Sequence, residues 1–134
     1  MRKINLAFDF GLPVLACLGI LVFTNQVMAA DGKEIFEKKC AKCHGMDGNG
    51  KGRAGRGLKV DPTAFNDKGI MSKLTDEEMY DASKLGGGDE FTKKHPDYKS
   101  PTSGKTLSKE MEAFPNLSDE ELKAVDVYIR TFAK

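Results

Sequence analysis

The apolar positions of this chain fall into three helical stripes separated by two long polar stretches, all behind one unbroken apolar run near the N-terminus. The run is thirteen residues, Gly11 to Phe23, with Arg2 and Lys3 ahead of it and Val27-Met28-Ala29 after it. A basic start, an apolar middle and small residues at the cut make the pattern of a secretory leader, and the run falls short of the roughly 20 apolar residues a spanning helix needs. Residues 1–29 are therefore expected to be a signal peptide and residues 30–134 the mature domain, with an uncleaved N-terminal membrane anchor as the alternative. The first stripe predicts a helix from Asp31 to about Lys42, with Asp31 as cap, Glu34 at the capping-box position, and Ile35, Phe36 and Cys40 at helical spacing. The second begins at Thr75-Asp76-Glu77-Glu78, carries Met79, Tyr80, Ala82 and Leu85, and stops at Gly86-Gly87-Gly88. The third is capped by Ser118 with Glu121, and Leu122, Val125, Ile129 and Phe132 run along one face beside Tyr128. Between them, Gly45 to Gly57 holds six glycines with Lys51, Arg53 and Arg56, a flexible basic loop, and Gly86 to Glu110 reads as a polar surface loop broken by Pro96, Pro101 and Gly104. No alternating stretch predicts a strand. The fold class is all-α, with three to five short helices.

Composition narrows this picture. The length suits one domain, and charged residues at 31% indicate a soluble one. Of 21 basic and 20 acidic side chains the leader removes Arg2, Lys3 and Asp9, so the mature domain carries equal numbers of each sign. That balance excludes nucleic-acid binding through bulk charge. Loss of Cys17 with the leader leaves Cys40 and Cys43 as the only thiols, in an exported protein where free thiols oxidise. A domain this small, with two long Gly- and Pro-rich loops, buries little apolar surface and is marginal without an added staple. A large apolar cofactor would supply one.

Cys40-Ala41-Lys42-Cys43-His44 is the segment that demands a specific chemistry. Cys-x-x-Cys-His is the attachment signature of c-type haem. Two thiols one helical turn apart can each add to a porphyrin vinyl group, which holds the following imidazole beside the iron as its proximal ligand. Other chemistries fit less well. A thioredoxin-like redox pair expects strands around its Cys-x-x-Cys. A zinc site would have to assemble Cys40, Cys43, His44 and the distant His95 without the usual paired spacing, and a plain disulfide leaves His44 unexplained. Gly45 to Lys51 nearly spells a phosphate loop but has Gly52 where Ser or Thr is required. Asp47-Gly48-Asn49-Gly50 begins like a calcium loop and fails at Lys51 and Leu58.

From Asp31 to Lys134 the chain resembles the class I cytochromes c, in which an N-terminal helix, Cys-x-x-Cys-His, a glycine-rich loop, a methionine ligand and a C-terminal helix follow in that order. The resemblance implies the cytochrome c fold wrapped around one covalently bound haem c and its iron. It places Gly32 and Phe36 where the first helix crosses the last, with Tyr128 as the matching aromatic. It makes Pro62 the residue whose carbonyl accepts the ring N–H of His44, fixing the imidazole and raising its basicity. It also implies a methionine as distal ligand, in a loop just before the last helix, where Met111 stands. The family usually has proline after this methionine and here there is Glu112, which leaves the backbone less restrained and brings a carboxylate near the haem. Met46 lies too close to His44 to reach the other haem face, and Met79 belongs to the apolar stripe of its helix. His95, Met71 and an open iron position remain the rivals of Met111. The expected reading of His95 is a solvated loop residue.

With His44 and Met111 as axial ligands the iron is six-coordinate, and its chemistry is reversible one-electron exchange. The implied function is an electron carrier in a respiratory-type chain, working in the periplasm as a monomer and meeting a redox donor and acceptor transiently. The basic side chains Lys39, Lys42, Lys51, Arg53 and Arg56 could orient an acidic partner. The alternatives are an open-coordinate haem that binds a gas or peroxide, and a haem subunit of a larger enzyme.

Overall fold

A computed structural model describes residues 31–134; the expected signal peptide lies outside the described residues. Among these the chain forms five α-helices and no strand, the all-α class the sequence predicts. Helix α1 covers 31–44 and is regular over 31–35, widens into one π-turn at Phe36–Cys40, and tightens again at Ala41–His44. In the π-turn the Ala41 amide donates to the Phe36 carbonyl, one residue further back than in a regular helix. Asp31 already lies within the helix, and Glu34 pairs forward with Lys38 along the helix surface.

Phe36 is fully buried and sits among Phe65, Tyr128 and Phe132, with ring centroids 6.3, 5.6 and 5.0 Å away. Edge-on and tilted aromatic contacts of this kind are favourable. A Cβ on Gly32 would stand 2.0 Å from the Ala124 carbonyl oxygen, so only glycine lets α1 lie against the last helix. The crossing of first and last helices at Gly32, Phe36 and Tyr128 is as expected.

Helix α2, Lys68–Met71, is capped by Asp67, whose side chain accepts from the Ile70 amide. Helix α3, Asp76–Leu85, has the full Thr75–Glu78 capping box, and helix α5, Asp119–Arg130, the full Ser118–Glu121 box. Both starts match the sequence reading. Arg130 fastens the end of α5 to α2 and α3, donating to the carbonyls of Met71 at 2.9 Å and Leu74 at 2.8 Å and pairing with Asp76 at 2.7 Å.

The stretch after Gly86 departs from the expected surface loop. It contains helix α4, Asp89–Lys94, whose Phe91 is 1% exposed and packs on His95 and Tyr98 at 4.7 and 5.1 Å. His95 Nε2 lies 2.7 Å from Asp81 Oδ2, and Lys94 Nζ reaches the same oxygen at 2.7 Å, so this segment is clamped to a buried carboxylate of α3. His95 is therefore not a solvated loop residue, and a surface-loop reading of it is corrected.

Candidate functional site

A cleft with a cavity volume of about 240 Å³ opens between the end of α1, the loop after it and the segment before α5. Its wall carries Cys40, Cys43, His44, Pro62, Met111 and Glu112, with Leu58, Val60, Leu107 and Phe114 supplying apolar surface. A second hollow continues inward, sharing His44, Thr63, Leu107 and Met111 with the cleft and adding Phe65, Met79 and Asp126. Cys40, Cys43, His44 and Met111 are thus brought to one cavity. Met71 is 2% exposed within the core, Met46 is 61% exposed, and His95 lines neither hollow.

The last turn of α1 is held by the glycine-rich loop. A helix C-terminus leaves carbonyls without intrahelical partners, and here Gly50 donates to His44 O at 2.8 Å, Gly52 to Cys43 O at 3.0 Å and Ala54 to Lys42 O at 2.8 Å. A Cβ on Gly52 would stand 2.5 Å from Lys42 O and one on Gly55 2.5 Å from Cys43 O, so these two glycines let the loop backbone close over the motif's own carbonyls.

His44 Nδ1 lies 3.1 Å from the Thr63 carbonyl, and its ring stacks on Phe65 at 4.5 Å. A carbonyl only accepts, so Nδ1 carries the proton and Nε2 keeps its lone pair for a metal. The acceptor is Thr63 and not Pro62, which corrects the expectation. Pro62 lines the cleft, but the chain turns so that the next carbonyl faces the imidazole. Burial lowers the His44 pKa below its ordinary value, with the Thr63 hydrogen bond opposing; the neutral form is the one that ligates.

Burial pushes the Cys40 thiol up to about 12, and the negative charge of Asp126 adds to the rise. A redox-active Cys-x-x-Cys pair needs the opposite shift, so the thioredoxin-like reading has no support here. No group of three or more His, Cys, Asp or Glu that could hold a metal ion occurs among the described residues.

Met111 is half-buried and its backbone is fixed at both ends. Its amide donates to Ser108 O at 3.0 Å and its carbonyl accepts from Gly87 N at 3.0 Å. Phe114 N reaches Ser83 O at 2.9 Å. The glycines that end α3 therefore also seat the methionine segment, since a Cβ on Gly87 would stand 1.6 Å from Ser108 O. The run Gly86-Gly87-Gly88 was the signal for this, but a stop to a helix explains it equally well from sequence. Glu112, in place of the usual proline, reaches Lys42 Nζ at 2.7 Å, and Glu110 Oε2 accepts from the Lys59 amide at 2.9 Å.

Two adjacent thiols, an imidazole with a free nitrogen and a nearby thioether on one cavity form the donor set that a covalent haem requires. The cytochrome c family model matches residues 29–133. The chain belongs to the cytochrome c family, and it carries one covalently bound haem c. It is similar to cytochrome c-553 of Helicobacter pylori strain J99, 29% identical over 121 residues that cover 88% of this chain and 95% of that protein. Cytochrome c-553 of strain 26695 is 28% identical over 118 residues, with the same coverage of each chain. No solved structure matches the chain.

Proposed function

We propose that the chain is an exported monohaem electron carrier, with Cys40 and Cys43 as thioether anchors, His44 as proximal ligand and Met111 as distal ligand. The observation that carries this reading is that His44 and Met111 share both hollows beside the two cysteines while His95 is withdrawn to Asp81. When bound, the haem supplies a reversible ferric–ferrous couple whose potential a thioether ligand raises relative to bis-histidine ligation. The protein's own part is to orient and exclude. Thr63 fixes the imidazole plane, the glycine loop closes the carbonyls behind it, and the Gly87 and Ser108 contacts hold Met111 in place.

The redox donor and acceptor belong to a respiratory-type chain and are met transiently, by a monomer. Lys51, Arg53 and Arg56 are exposed and make no ion pair among the described residues, which leaves them free for an acidic partner surface. Among the described residues no helix is long and apolar enough to cross a membrane. With the leader over 1–29 removed, the working site is the periplasm. N-terminal sequencing of the protein from a periplasmic extract should begin at Ala30 or Asp31.

The ligand assignment is tested by absorption spectroscopy of the ferric holoprotein. A weak far-red charge-transfer band, present in the wild type and in His95→Ala and absent in Met111→Ala, is expected. A high-spin ferric spectrum, with a dithionite-reduced form whose bands shift on adding carbon monoxide, would instead support the open-coordinate reading.

A further inference from the structure

Asp126 is a buried acid that nothing in the electron-carrier reading uses. It lies on α5 with 8% of its surface exposed, and its Oδ1 is fully buried without a hydrogen-bond partner among the described residues. A buried polar atom left unpaired costs stability, so its persistence needs a reason. The side chain forms part of the inner hollow, together with His44 and Met111.

The surrounding charges do not neutralise it. One turn on along α5, Arg130 is the cation whose charge reaches Asp126, but its guanidinium is committed to Asp76 and to the carbonyls of Met71 and Leu74. From α3 the facing groups are acidic, Asp76 and Glu78, and the Glu78 carboxylate is occupied by its capping box with Thr75. From α1 the Cys40 thiol feels the charge of Asp126, and His44 and Tyr98 line the same hollow. None supplies a positive charge at neutral pH.

We propose that Asp126 is a proton-binding site coupled to the electron the protein carries, holding a carboxylate in the oxidised protein and taking up one proton when the protein is reduced. The balance is one electron from the donor protein and one proton from water, the carboxylate becoming a carboxylic acid; oxidation returns both. The cause is electrostatic, because an added electron removes one positive charge from the cavity that Asp126 faces, and the interaction is strong where water is excluded. Burial, with the charge of Asp76 behind it, already pushes the Asp126 carboxyl up to about 7, so a modest further change moves its proton within the working range.

The proposal rests on the electron-carrier reading, and its test separates the two. Spectroelectrochemical titration of the holoprotein across roughly pH 5–9, a range that brackets a raised carboxyl, gives the midpoint potential at each pH. The wild type should show a potential that falls as pH rises, approaching a tenfold change in the equilibrium per pH unit, about 59 mV for one electron. Asp126→Asn should lose that slope while keeping the wild-type spectrum, and Asp126→Ala serves if the amide does not fold. A flat wild-type profile, or a slope unchanged in the variant, overturns the proposal. Absence of any reversible one-electron response overturns the carrier reading instead. In the wild type alone, reduced-minus-oxidised infrared spectra at neutral pH should gain a carboxylic C=O band that shifts when the protein's aspartates carry ¹³C in the carboxyl. A band that does not shift places the proton elsewhere and sinks the idea.

Discussion

Lys42 stands between the two cysteines and Glu112 directly follows Met111, and the two side chains meet at 2.7 Å. Exposed ion pairs of this sort add little to folding stability. This one matters for where it sits, since with the Glu110–Lys59 hydrogen bond it ties both neighbours of Met111 to the far wall of the cleft. The restraint that a proline would give the backbone is replaced by two carboxylate contacts. On the proposed Met111 ligation, Glu112→Ala should therefore leave the thermal midpoint nearly unchanged but make Met111 easier to displace, so that the far-red band is lost at a lower imidazole concentration than in the wild type. An unaltered imidazole titration would show that Gly87 and Ser108 hold the methionine by themselves. The structure brings Cys40, Cys43, His44 and Met111, which their spacing and order single out in the sequence, to the wall of one cavity. Thr63 was not legible in that way, because whether its carbonyl or that of Pro62 reaches the imidazole depends on the path of a loop with no regular structure. His95 was misread for a related reason. Its partner Asp81 lies 14 residues away on α3, beyond what local polarity can reveal.

At the scale of elements, α3 and α5 could be placed from sequence because a capping box is a four-residue signal that needs no tertiary contact. Helix α4 could not. It starts at Gly88 with no side-chain cap, is six residues long, and is held by Phe91 and by the Asp81 clamp. That clamp gives the segment a pH dependence of its own. Burial pushes the Asp81 carboxyl up, but hydrogen bonds from Lys94 and His95, with their charges, outweigh it and hold it below the ordinary carboxylate value. A depressed folded pKa means the folded state binds fewer protons than the unfolded one. The contribution is then complete above the ordinary value, near pH 4, and is lost as pH falls through the lower one. Acidification should accordingly release α4 before the rest of the fold, seen as early amide exchange over residues 89–98 in mass-spectrometric hydrogen exchange. Asp81→Asn should show that fast exchange already at neutral pH. Simultaneous exposure of α4 and α5 would mean that the clamp is not what holds the segment.

For the molecule as a whole, charge arithmetic and charge placement make different predictions, and the difference can be measured. Formal net charge is +1 over the full chain, and loss of the expected leader brings it to zero, so a protein described by its total charge should meet partners at a rate indifferent to salt. The positive side chains are not spread evenly. Lys51, Arg53 and Arg56 lie exposed on the loop that closes over the Cys40–His44 turn, and many of the acids elsewhere are spent in pairs such as Lys84–Asp119 and Lys109–Asp89. On the proposed carrier reading, these exposed cations beside the Cys40–His44 turn would steer an acidic partner. Screening length shrinks from about 30 Å at 0.01 M salt to about 10 Å at 0.1 M, so steering by this loop should fade over that range. The second-order rate of electron transfer to an acidic redox protein, followed by stopped flow, should therefore fall severalfold between those salt concentrations. An Arg53→Glu, Arg56→Glu double variant should be slow at low salt and converge on the wild type at high salt. A wild-type rate that is flat with salt would mean that the partner docks elsewhere, and the loop would then be left with the role its hydrogen bonds already give it, closing the end of α1.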